Sequence, residues 1–106
     1  MEQVTRRKTS GQEAEGGLYF AEVVIPNKKG LHARASAQFV RCASGFTAQV
    51  RVTREGHTVG GTSIMGLMML AAGTGTMITV EATGKQATEV VEALAKLVAG
   101  RFTEEE

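Results

Sequence analysis

His32 and Arg34 have the residue types and the spacing to bind and carry a phosphoryl group. They lie in Gly30-Leu31-His32-Ala33-Arg34, where a loop meets a run of residues with helical periodicity. The start of a helix offers backbone N–H groups without helical acceptors and a partial positive charge, and both favour phosphate oxygens. Neutral imidazole is a nucleophile near pH 7, and the arginine fork matches phosphate geometry. The pair is therefore a candidate for phosphoryl transfer through a phosphohistidine. Taken alone, the tripeptide favours the alternative of an exposed helix cap beside a solvated arginine.

A second segment, from Ser63 to Leu70, combines a capping residue with large apolar side chains. Ser63 is suited to be the N-cap of a short helix, and Leu67 and Leu70 are expected in the core. Flexible methionines suit a surface that docks several partners, although burial in the core is the alternative that composition favours. The predicted docking residues of this segment are Ile64, Met65 and Met68.

The remaining lysine, histidine and cysteine candidates give weaker indications of a functional site. Lys28 and Lys29 precede His32 and could attract an acidic partner or phosphate, but a solvated loop is the interpretation that their position favours. His57 follows Glu55-Gly56 and is expected in a hairpin, without the neighbours that a metal site needs. Cys42 lies midway along a predicted helix and is expected to be a buried small hydrophobe. No metal or cofactor is predicted.

Length and composition limit the class of protein. The chain has 106 residues, which predicts one domain, and a net charge of +1, which does not favour nucleic-acid binding. No apolar run approaches the roughly 20 residues needed to cross a bilayer, and the first residues are polar. One cysteine cannot form an internal disulfide. We therefore expect a cytoplasmic protein without membrane insertion.

The predicted elements follow the order β-α-β-β-α-β-α. Strands are predicted from period-two alternation, and helices from one-sided apolar faces; in the first helix this face comprises Ala37, Val40 and Ala43 with Ala33 and Phe39 alongside. The pattern predicts an α/β (α+β) open-faced two-layer sandwich, with helices on one face of a mainly antiparallel sheet. Residues 1–17 are expected to be a flexible extension, 18–102 the folded domain, and 103–106 an acidic tail.

The chain resembles the HPr family, the histidine-containing phosphocarriers of the bacterial phosphotransferase system. The resemblance rests on Gly30-Leu31-His32-Ala33-Arg34 followed by Ser63-Ile64-Met65-Gly66-Leu67-Met68, and it extends from about Leu18 to Phe102. It implies a four-stranded antiparallel sheet in the order 1-4-2-3 under three helices. It also implies a carrier protein rather than an enzyme.

The resemblance further implies roles for single residues. His32 matches the histidine that is phosphorylated on Nδ1, Arg34 the arginine beside it, and Ser63 the serine that HPr kinase/phosphorylase modifies. Enzyme I is then the donor, with phosphoenolpyruvate as the ultimate source, and an enzyme IIA protein is the acceptor. The position after Arg34 is usually proline in this family, and Ala35 occupies it here, which restores a backbone N–H.

Relay in sugar uptake and relay for regulation are both open, and two alternatives to relay itself remain. One is a regulatory binding module of the same fold, controlled by phosphorylation of Ser63 without sugar transport. The other is a histidine-dependent phosphatase or mutase, for which the chain lacks a convincing second acid/base group and pocket. A monomer is expected, because a carrier must expose one small face to successive partners.

Overall fold

One antiparallel sheet underlies the fold in the computed structural model, which describes residues 4–9 and 18–103. Within these residues the strand order is β1-β2-β5-β3-β4, and every neighbouring pair is antiparallel. The four strands expected from the sequence therefore stand in the order 1-4-2-3, as predicted. The strands are β1 (Val4–Thr9), β2 (Leu18–Val24), β3 (Gln49–Arg54), β4 (His57–Gly60) and β5 (Met77–Thr83).

Strand β1 corrects part of the expectation for residues 1–17. These were predicted to be a flexible extension, but Val4–Thr9 pair with the edge of β2, from Val4 opposite Val23 to Thr9 opposite Leu18. The local sequence carries no clear apolar alternation there, and the unpaired N–H and C=O groups of the β2 edge supply its hydrogen-bond partners. Residues 1–3, 10–17 and 104–106 lie outside the described residues, and with them most of the predicted extension and the acidic tail.

Three helices cover one face of the sheet: α1 (Ala33–Ser44), α2 (Ile64–Met69) and α3 (Ala87–Ala99). The strands turn alternate residues towards these helices, as Val50 and Val52 of β3 show by their burial. A 3₁₀ turn, Arg101–Thr103, then inserts Phe102 fully into the core with a left-handed backbone. The open-faced sandwich predicted from periodicity is confirmed.

The buried face of α1 differs from the predicted one. Ala35, Phe39 and Ala43, at i, i+4 and i+8, are buried, whereas Ala37 and Val40 are half-buried and Ala33 is exposed. Alanines occur on several sides of this helix, so the sequence does not show clearly which of its faces is the most hydrophobic. Phe39 is the largest side chain available, and its complete burial fixes the rotation of the helix.

Candidate functional site

His32 is the N-cap residue of α1. Its backbone is extended, with φ of −78° and ψ of −177°, and its carbonyl oxygen accepts the first helical hydrogen bond, from the Ser36 N–H at 2.8 Å. The N–H groups of Ala33, Arg34 and Ala35 precede that bond and have no helical carbonyl to which they could donate. They and the helix dipole make the segment around His32 favourable for phosphate oxygens.

The charge around the first turn of α1 is positive. Arg34 is exposed, and no acidic residue occupies this turn. His32 itself is half-buried. The residue is therefore partly open to a partner while its backbone is held by the helix, and Arg34 can balance negative charge on the ring.

A tight turn precedes His32 and carries the predicted lysines. The Gly30 N–H donates to the Asn27 carbonyl at 3.2 Å, and the buried Asn27 side-chain amide donates to the Gly30 carbonyl at 2.9 Å. Lys28 and Lys29 occupy the exposed tip of this turn. They therefore lie in the loop of His32 and face solvent, as both interpretations of these lysines require.

The loop of His32 is fastened to the loop that follows α2. The Leu31 N–H donates to the Ala72 carbonyl at 3.0 Å, and the Thr74 hydroxyl reaches the carbonyls of Asn27 and Lys28 at 2.6 and 2.9 Å. Gly30 has a φ of +65°, and a Cβ there would fall 2.3 Å from the Ala72 carbonyl oxygen. Glycine is required for both reasons.

Ser63 caps α2 as predicted. Its hydroxyl accepts a hydrogen bond from the Gly66 N–H at 2.9 Å. Leu67 and Leu70 are buried, which confirms their assignment to the core. At the other end of the helix, Arg54 of β3 donates from Nη1 to the Leu70 carbonyl at 3.0 Å. This long-range contact has no signature in the local sequence.

The apolar side chains of α2 that were predicted to dock partners are exposed. Met65 is 72% exposed, and Ile64 and Met68 are each 42% exposed. Met69 was not predicted, yet it is 77% exposed. An α-helix turns about 100° per residue, so Met69, two positions after the buried Leu67, lies about 200° around the helix from it. The helical period could therefore have predicted that Met69 is exposed. We call Ile64, Met65, Met68 and Met69 the α2 surface.

The fold brings the His32 and Ser63 segments together. α1 packs against α2, and the hydrogen bond from Leu31 to Ala72 joins the loops next to them. His57, by contrast, is an exposed residue of the β3–β4 hairpin, as predicted. Cys42 is half-buried on α1, and this burial raises the pKa of its thiol above the ordinary value.

Other kinds of site are not apparent in the part of the chain that the structure describes. No three His, Cys, Asp or Glu side chains there come together as ligands for a metal ion. Within the same residues no helix has the length and apolar character needed to span a membrane. An open depression of about 490 Å³ is lined by β3, β4 and the residues beside them, and includes neither His32 nor the α2 surface.

Comparison with known proteins identifies relatives over most of the chain. Residues 20–100 match the family model described as the PTS HPr component phosphorylation site. A phosphocarrier protein HPr from Cupriavidus necator is 48% identical over 85 residues, which are 80% of this chain and 96% of the relative.

Solved structures show the same similarity. HPr-C-His from Thermoanaerobacter tengcongensis superposes with a TM-score of 0.79 and 38% identity, over 82% of this chain and 98% of that one. A structure described as an HPr dimer from the same organism has a TM-score of 0.66 and 39% identity, over 77% of this chain and 94% of that one. The site around His32 therefore stands in a fold shared with phosphocarriers.

Proposed function

The chain belongs to the HPr family of phosphocarrier proteins of the phosphotransferase system, and we propose that it carries the phosphoryl group on His32 from enzyme I to an enzyme IIA protein. It is a carrier and not a catalyst. The observation that supports His32 as the carrier residue is its position as the N-cap of α1. The loop before it is fastened by Leu31, and its own carbonyl accepts the first helical hydrogen bond, from the Ser36 N–H. The residue is partly exposed, and the backbone that presents its ring is fixed.

The transfer consists of two substitutions at phosphorus. In the first, a neutral ring nitrogen of His32, Nδ1 by the family resemblance, attacks the phosphoryl group, and a P–N bond forms as the bond to enzyme I breaks. In the second, the acceptor nucleophile attacks the same phosphorus and the P–N bond breaks. Arg34 and the N–H groups at the start of α1 stabilise the phosphoryl oxygens in between.

Incubation with enzyme I and labelled phosphoenolpyruvate tests the role of His32. The parent chain should acquire an acid-labile label, His32→Ala should acquire none, and Arg34→Ala should be labelled more slowly. His57→Ala is the matched control, because the chain has two histidines and His57 lies on the hairpin. Acid-labile label that persists in His32→Ala would refute the proposal.

Docking of partners is assigned to the face that carries His32 and the α2 surface. Ile64, Met65 and Met68 supply apolar contact, and Lys28 and Lys29 supply positive charge near the acceptor ring. Reversing both lysines to glutamate should raise the KM for enzyme I and weaken its salt dependence. An unchanged KM in the double variant would show that Lys28 and Lys29 do not contribute to docking.

We assign Ser63 a second, regulatory role as the residue that HPr kinase/phosphorylase modifies. It is exposed and is followed directly by the α2 surface, so a phosphate there would add a charge of about −1.5 to −2 beside apolar docking residues. That charge raises the desolvation cost of docking and lowers the rate of relay. A purified kinase from the same organism that leaves Ser63 unmodified would contradict this role.

The regulatory binding module remains the second candidate function, and the same exposure of Ser63 favours it. Relay and purely regulatory binding are distinguished by whether His32 accepts a phosphoryl group. If Ser63 is modified and His32 accepts no phosphoryl group from enzyme I, then the chain regulates partners without relay. We further propose a cytoplasmic monomer, and sedimentation of the full chain tests the oligomeric state against the dimer seen for the Thermoanaerobacter tengcongensis protein.

A further inference from the structure

Met65 and Met69 are the two most exposed large apolar side chains in the described part of the chain, at 72% and 77%. They are four residues apart on α2, and both lie two positions from the fully buried Leu67. Their thioethers therefore share one solvent-facing side of the helix. Two sulfur atoms that face solvent side by side are open to small oxidants as well as to protein partners.

We infer that Met65 and Met69 form an oxidation site at which peroxide switches off docking on the α2 surface. The inference rests on the proposed function, because it assumes that this surface contacts enzyme I. In the reaction, a sulfur lone pair attacks one oxygen of hydrogen peroxide and the O–O bond breaks. The sulfur gains that oxygen and is oxidised by two electrons to the sulfoxide, while the proton of the transferred hydroxyl passes to the departing hydroxide, which leaves as water.

Oxidation of these residues opposes docking through desolvation. A sulfoxide oxygen is a strong hydrogen-bond acceptor, whereas the thioether that it replaces is nearly apolar. Burying two such oxygens against an apolar partner surface leaves them without their water partners. We therefore expect kcat/KM with enzyme I to fall about tenfold or more, chiefly through KM, because the reacting ring of His32 is unchanged.

Exposure also predicts which residues react first. Met68 is 42% exposed on the same helix, and Met77 is 53% exposed at the start of β5, so both should be oxidised more slowly than Met65 and Met69. Cys42 is half-buried, and thiols react with peroxide as thiolates. A thiol held in its neutral form is a poor competitor for the oxidant.

The experiment treats the full chain with a limiting amount of hydrogen peroxide, removes the oxidant and measures phosphorylation by enzyme I. Each variant is compared with its own untreated sample, so that effects of substitution on docking cancel. Trypsin places Met65, Met68, Met69 and Met77 in one peptide, Glu55 to Lys85, and fragment-ion spectra locate each added oxygen. Methionine sulfoxide reductases then reverse the modification.

The parent should lose activity in proportion to sulfoxide at positions 65 and 69, and recover it with the reductases. The double variant Met65→Leu, Met69→Leu should keep its own untreated rate, whereas Met77→Leu should lose activity as the parent does. Full sulfoxide formation at 65 and 69 with an unchanged rate would overturn the inference and leave the relay proposal intact. Failure of the untreated parent to accept phosphate would instead overturn the relay proposal itself.

Discussion

Gly30 lies against Ala72 so closely that the loop of His32 and the loop after α2 meet backbone to backbone. A Cβ at Gly30 would approach the Ala72 carbonyl oxygen to 2.3 Å, and the next N–H along the chain, that of Leu31, donates to the same oxygen at 3.0 Å. One carbonyl therefore sets the position of both residues before His32. The loop of His32 is thus held by a segment more than thirty residues away in the chain.

Gly30→Ala should lower both stability and the rate of phosphorylation. The added Cβ meets backbone atoms, and the φ of +65° strains any L side chain, so we expect a loss of about 2 kcal/mol in the free energy of unfolding. Gly73→Ala is the control, since a Cβ there meets nothing within 4 Å. Urea unfolding measures the first effect and labelling by enzyme I the second. Equal stability of the two variants would contradict the close approach.

Two substitutions of Ser63 should separate capping from charge. Ser63→Ala removes the acceptor of the Gly66 N–H and should cost about 1 kcal/mol, with little effect on relay at temperatures where the chain is folded. Ser63→Asp keeps a capping oxygen and should stay within roughly 0.5 kcal/mol of the parent, yet its negative charge should raise the KM for enzyme I. If both variants relay phosphate as fast as the parent, charge at this position does not control docking.

Ala35→Pro should be tolerated, although the residue is fully buried in α1. The Ala35 N–H precedes the first helical hydrogen bond, so its loss removes no bond of the helix, and we expect a change below about 1 kcal/mol. The rate of phosphorylation should stay within about threefold. Ala37→Pro, one turn from the start, should cost about 3 kcal/mol. A loss of similar size in both variants would show that the first turn depends on the Ala35 N–H.

Stability should fall at alkaline pH through Cys42. Burial raises the pKa of this thiol in the folded chain, so above the ordinary pKa of 9.0 the unfolded thiol loses its proton first and ionisation favours unfolding. Cys42→Ala should lack that part of the decline. Iodoacetamide should likewise alkylate the folded chain more slowly than the chain in urea. Equal alkylation rates in the two states would show that the fold does not protect the thiol.

Periodicity in the sequence determined the fold class, because amphipathic helices and half-buried strands impose their periods on the residues that form them. The residue types of His32, Arg34 and Ser63 likewise fixed the kind of chemistry to expect, since nucleophilicity, permanent charge and capping are properties of the side chains. The burial of Leu67 and Leu70 was likewise predicted from the local sequence of the segment that begins at Ser63.

Tertiary structure alone decided how these parts meet. The pairing of β1 with β2, the rotation of α1 around Phe39 and the contact of Arg54 with Leu70 each join residues whose local sequence gives no sign of the partner. The placement of His32 is of this kind too, because the Ala72 carbonyl that fixes its loop comes from a distant segment. Long-range hydrogen bonds and packing depend on which segments the chain brings together, and local propensity carries no information about that choice.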